Sequence, residues 1–155
     1  MRIVHLLHGL PGSGKTTLAR KLEAERGALC LNLDEWMAAL HGENLPTTGL
    51  AELQGRIEGL IWQMTERLVA RDIEVVLDLG FWTRASRDDA RRRVAGMGAE
   101  PFFYRMICPD SLARQRTVGA PAGALVVDGA SWDSFQSRFE PMGSDESAIS
   151  ILSGI

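Results

Sequence analysis

Cysteine is scarce: the 155 residues hold two, Cys30 and Cys108, in separate apolar segments and without metal-ligand spacing. That excludes a disulfide framework and a thiolate metal cluster, and leaves the expectation of buried, reduced thiols in a cytoplasmic protein. Basic residues are not in excess either. Seventeen Lys and Arg face twenty Asp and Glu, a net charge of −3 with pI near 5.6, which argues against a strongly basic nucleic-acid-binding surface. No apolar run approaches the roughly 20 residues of a membrane span. A glycine loop follows Arg2 and one short apolar run, so no signal peptide is expected. Repeats, low-complexity tracts and interdomain linkers are missing too, and one domain over residues 1–155 is expected.

What is present is concentrated near the start. Gly9-Leu10-Pro11-Gly12-Ser13-Gly14-Lys15-Thr16, followed by Thr17, fits G-x-x-x-x-G-K-[ST] at every fixed position. Ile3-Val4-His5-Leu6-Leu7 before it reads as a buried parallel strand, and Leu18, Ala19 and Leu22 after it fall at helical spacing. Strand, glycine loop and helix together specify a phosphate cradle, because glycines let the backbone wrap an anion and the helix N-terminus adds positive potential. Lys15 has the reach for β- and γ-phosphates, and the Thr16 hydroxyl suits Mg²⁺. Gly9, Pro11, Gly12, Ser13, Gly14, Lys15, Thr16 and Thr17 are the expected nucleotide-binding residues, with ATP and Mg²⁺ as the ligands.

Down the chain, further strands are expected at 28–33, 74–80, 101–108 and 148–152, with another short extended piece at 125–128. Helices are expected after the loop to Arg26, capped by Gly27, and from near Trp36 onward. A long helix is expected at 50–70, with Leu50, Leu53, Ile57, Leu60, Ile61, Met64 and Leu68 as its core stripe and Trp62 off it. Further helices are expected from Thr83 or Ser86, from Asp110, and from Ser131 as cap, the last turning Trp132, Phe135 and Phe139 to the core. Ligands of open α/β sheets sit at the carboxyl ends of strands. Asp34 ends the second strand, where it either does chemistry or caps a helix. Asp78 ends the third strand and suits Mg²⁺ or the positioning of an acceptor. Arg84 and Arg87 follow closely and are expected to touch substrate. No Glu follows Asp78, which tilts the pattern from hydrolysis towards transfer to another molecule.

Taken in order, the chain resembles the AAA_33 group of phosphate-loop kinases, which is similar to polynucleotide kinase, zeta-toxin-type kinases and chloramphenicol phosphotransferase. The resemblance rests on residues 9–17, on Leu-Asp-Glu-Trp-Met at 33–37, on Leu-Asp-Leu-Gly-Phe-Trp-Thr-Arg-Ala-Ser-Arg at 77–87, and on Arg-Phe-Glu-Pro at 138–141. It implies a three-layer α/β fold with a five-stranded parallel sheet, order 2-3-1-4-5, helices on both faces, and a short lid at about 110–123. It implies that Asp34 is the general base on an acceptor hydroxyl and that lid arginines join Lys15 in neutralising phosphate charge. Arg114 and Arg116 are two apart and do not share a helical face; Arg114 is the expected catalytic one, with Arg116 beside the nucleotide. A small-molecule hydroxyl is the expected acceptor. A 5′-hydroxyl polynucleotide and a non-catalytic ATP-binding switch are the alternatives.

Overall fold

The computed structural model describes residues 2–42, 48–118 and 128–153. Its centre is β1 (Ile3–His8), in which every residue is buried, as a strand covered on both faces must be. Around it β2 (Leu29–Asn32), β3 (Val75–Gly80), β4 (Glu100–Ile107) and β5 (Ile149–Leu152) complete one sheet in the order β2-β3-β1-β4-β5. All four pairings are parallel. The resemblance implied this order, and the structure has it.

Side chains alternate across the sheet and so define two cores. Val4, Leu6, Val75 and Leu77 pack against α2 (Leu33–His41), α3 (Leu50–Val69) and α4 (Arg84–Gly96) through Met37, Ile57, Ile61, Ala90 and Val94. Leu7 and Val76 point the other way, onto Ala19 and Leu22 of α1 (Lys15–Arg26). A third cluster, Leu10, Ala113 and Trp132, joins the loop after β1 to α5 (Asp110–Val118) and α6 (Gly129–Arg138). The arrangement sets the carboxyl ends of β2, β3 and β1 side by side, so that Asp34, Asp78 and the glycine loop open onto the same end of the sheet.

Several local expectations change. The buried arc of α3 is Ile57, Ile61, Trp62, Thr65 and Val69, whereas Leu60 and Met64 are exposed. Thr65 can face the core because its hydroxyl donates to the Ile61 carbonyl at 2.8 Å, and the Trp62 ring carries the Arg93 guanidinium 5.2 Å from its centre. Asn32, not Asp34, caps α2: its side chain accepts from the Glu35 amide at 2.9 Å. Asp128, not Ser131, caps α6, while Thr83 and Gly27 cap as expected. Both thiols are only half-buried. The turn at 119–123 and the extended piece at 125–127 lie outside the described residues.

Candidate active site

The glycine loop is shaped by backbone that side chains rarely adopt. Gly12 (φ 79°) and Gly14 (φ 96°) are left-handed, and a Cβ on Gly12 would strike the Ala113 carbonyl and the Thr117 hydroxyl of α5. Glycine is therefore required there twice over, by conformation and by contact. The Gly9 amide donates to the Gly80 carbonyl at 3.2 Å, and the Trp82 indole donates to the Gly9 carbonyl at 3.1 Å. Gly80 and Phe81 both have positive φ, the turn that carries Trp82 back over the loop. These bonds tie the end of β3 to the start of the loop.

A cleft of about 1370 Å³ opens at this end of the sheet. Its loop side is Pro11, Gly12, Gly14, Lys15, Thr16 and Thr17, with Arg116 and the end of β5 alongside. Its other side is Asn32, Asp34, Gln54, Asp78, Trp82 and Arg138. Asp78 is 6% exposed and joins the two sides: its carboxylate accepts from Thr16 Oγ1 at 3.1 Å and from Asn32 Nδ2 at 2.8 Å. Lys15 Nζ donates to the Leu10 carbonyl at 2.9 Å. Burial pulls the Lys15 pKa below its ordinary value, and the charges of Asp78 and Asp34 oppose that pull. Asp34 is solvent-exposed in the cleft, yet the protein packed around its carboxylate desolvates it. That desolvation raises its carboxyl above the usual range; Lys15 works against the rise and Asp78 adds to it. Among the described residues no hydrogen bond or ion pair occupies the Asp34 carboxylate, so it is available to a proton.

The expected arginines are placed differently from the sequence reading. Arg87 is 1% exposed. Its Nε and Nη2 donate to the two oxygens of Glu146 at 2.8 and 3.1 Å, and its Nη1 to the carbonyls of Phe81, Trp82 and Glu140. Every nitrogen is committed to the protein, which corrects the expectation of a substrate contact. Arg84 is held by Asp88 and Asp145 and does not line the cleft either. Arg114 leans towards Asp133, at 3.5 Å. Arg116 instead reaches the Gly12 carbonyl at 3.4 Å and Ser153 Oγ at 3.2 Å, so Arg116 and not Arg114 stands beside the glycine loop. Of the other expected loop residues, Gly9 and Ser13 do not line the cleft.

Asn32, Gln54, Trp82 and Arg138 are among the cleft residues that the sequence did not single out. Asn32 was signalled by Asn-Leu-Asp-Glu, in which an Asn three residues before a Glu forms a cap pattern. Arg138 lies over the rings of Trp82 and Phe135, 5.5 Å from each centre, a relation no spacing encodes.

Fold and loop together define the phosphate-loop NTPase architecture: a parallel 2-3-1-4-5 sheet whose central strand ends in the glycine cradle. The AAA_33 family (AAA domain) matches residues 4–142, and the chain belongs to that family. No curated protein matches it. Among solved structures it is similar to a sugar kinase from Janibacter sp. HTCC2649, at 20% identity and TM-score 0.70, covering 98% of this chain and 85% of that one. It is also similar to Chaetomium thermophilum Kti12 in complex with ADP-AlF3, at 15% identity and TM-score 0.75, covering 96% and 88%. The Pnkp1/Rnl/Hen1 RNA repair complex contributes a third likeness, at 19% identity and TM-score 0.73, covering 88% of this chain but only 43% of that chain. At these identities the likeness is one of fold.

Proposed function

We propose that the protein is an ATP-dependent phosphotransferase that moves the γ-phosphoryl group to a hydroxyl of a small molecule. The observation that carries this is Asp34: an unpaired carboxylate with a raised pKa, sharing one cleft with the loop lysine. Phosphoryl transfer asks little of a protein beyond in-line positioning, charge neutralisation and one carboxylate to take the hydroxyl proton. The loop amides and Lys15 serve the phosphates, Arg116 adds charge from the lid, and Asp34 accepts the proton of the attacking hydroxyl. Asn32 and Thr16 hold Asp78 in place. Kinase names among the structures of similar fold, and ADP-AlF3 in one of them, agree with a nucleotide donor.

Thr16 Oγ1 and Asp78, two hard oxygen donors 3.1 Å apart, fit Mg²⁺. Mg²⁺ usually keeps several waters and takes one or two protein oxygens beside substrate phosphates, a demand these two donors meet. When bound, Mg²⁺ would neutralise phosphate charge.

A 5′-hydroxyl polynucleotide is the second reading, supported by the fold likeness to the Pnkp1-containing complex and opposed by the acidic pI. Incubation with labelled ATP, a metabolite panel and a 5′-hydroxyl oligonucleotide separates the two. Label on a small molecule is expected; label on the oligonucleotide alone would replace the first reading with the second.

A further inference from the structure

A second cavity, about 330 Å³, shares only Met106 with the main cleft. It lies between the carboxyl ends of β1 and β4, the glycine loop and residues 139–142. Three buried side-chain polar atoms lack a hydrogen-bond partner among the described residues, and two of them, Ser13 Oγ and Arg105 Nε, belong to its wall. A buried polar atom left without a partner is destabilising unless something answers it. Ser13 is 4% exposed. Among the described residues no carboxylate lies within ion-pair distance of Arg105, and the 119–127 segment that follows α5 contains only Gly, Ala, Pro, Leu and Val, so its side chains supply none.

The other groups narrow the chemistry. His8 Nδ1 lies 2.9 Å from the Phe81 carbonyl, which can only accept, so that nitrogen carries the proton. Burial pushes the His8 pKa down to about 4, against the Phe81 bond, so His8 is neutral and Arg105 is the single cation among the described residues that line the cavity. Asp110, accepting from Gln136 at 2.7 Å, stands on the same wall and disfavours a dianion. Leu10, Ile107, Phe139 and Met142 make the rest of the wall apolar. A guanidinium pairs with one carboxylate in a bidentate way, and the volume is at the small end of ligand pockets.

We propose that this cavity is a second ligand site, for a small organic monocarboxylate with an apolar body, gripped by Arg105 with the Ser13 hydroxyl as a further donor. The proposal does not depend on the phosphotransferase reading. Calorimetric titration of the full chain with sodium benzoate, acetate and inorganic phosphate, each with and without saturating ADP, tests it. Benzoate is expected to bind one-to-one and to persist with ADP present, while acetate, lacking the apolar body, binds at least about tenfold more weakly. Arg105→Met is expected to weaken benzoate binding by about tenfold or more, the loss of a charged hydrogen-bonded pair. Phosphate is expected at the glycine loop, displaced by ADP and indifferent to Arg105→Met. Absence of saturable benzoate binding, an unchanged affinity in Arg105→Met, or displacement of benzoate by ADP would each overturn the proposal. A second measurement keeps Arg105 intact. In Cys30→Ser protein, benzoate should slow alkylation of Cys108, which lines the cavity, in proportion to the bound fraction; a rate indifferent to benzoate overturns the site.

Discussion

Replacing Glu146 by alanine isolates the most buried ion pair among the described residues. Both side chains of the Arg87–Glu146 pair are 1% exposed. The carboxylate accepts both Nε and Nη2 of Arg87, the Gly143 amide at 2.9 Å and Arg91 at 3.0 Å. Without Glu146 the Arg87 guanidinium stays buried with three backbone carbonyls and no counter-charge. Stranding one member of a buried pair costs about 3–5 kcal/mol, which in a chain of this size lowers Tm by on the order of 10 °C. Urea unfolding followed by circular dichroism reads the loss directly. The pair also has a pH signature. Burial alone would raise the Glu146 pKa, but the bonds from Arg87, Gly143 and Arg91 outweigh it and hold it down at about 2, against 4.5 ordinarily. Its folded pKa is depressed, so its stabilisation is fully present above about pH 4.5 and is lost as pH falls towards about 2. The difference between wild type and Glu146→Ala should shrink over that window. A loss below about 1 kcal/mol, the scale of a surface pair, or a difference that is flat with pH, would refute a structural role and return Arg87 to substrate.

Trp62→Ala should cost about 3–5 kcal/mol in the same unfolding assay, because the ring is core; a cost under about 1 kcal/mol would mean the indole is a surface group. Arg116→Ala should lower the turnover of the transfer reaction at least about tenfold, the effect of a lost transition-state cation being often far larger, whereas Arg114→Ala should change it by less than about twofold. Equal losses in steady-state kinetics would contradict the placement of α5. The acid limb of the pH–rate profile should report Asp34. Desolvation raises its pKa above 3.8, and a base must be unprotonated, so activity should climb with pH through an apparent pKa above that value; a limb at or below it would remove Asp34 as base.

The donor side was legible because its chemistry is local. A glycine loop between a strand and a helix needs a fixed residue at nearly every position, and Gly12 shows why: conformation and contact both forbid a side chain. Sheet order followed from the resemblance; Asp34 sits in the first turn of α2, just past β2, and Asp78 within the second half of β3, so the apolar runs located both only to within about two residues of a strand end. The arginines were not legible. Whether Arg87 faces solvent, ligand or Glu146 depends on a partner 59 residues away, and no helical spacing contains that. Arg116 displaced Arg114 because the angle at which α5 meets Gly12 decides which face sees the loop. The arc of α3 shifted for a similar reason, since Thr65 satisfies its hydroxyl within the helix and so buries like an apolar residue.

The most direct measurement is a paired one on Asp34→Asn: calorimetric ATP affinity, and ATP-dependent mass gain of one phosphate across a metabolite and antibiotic panel. Wild type should phosphorylate an acceptor in the panel. Asp34→Asn should bind ATP within about threefold of wild type, yet transfer at least about a hundredfold more slowly, the scale of a lost general base. Equal transfer by Asp34→Asn, or acceptor-independent hydrolysis as the only reaction of wild type, would contradict Asp34 as the base of a phosphotransferase.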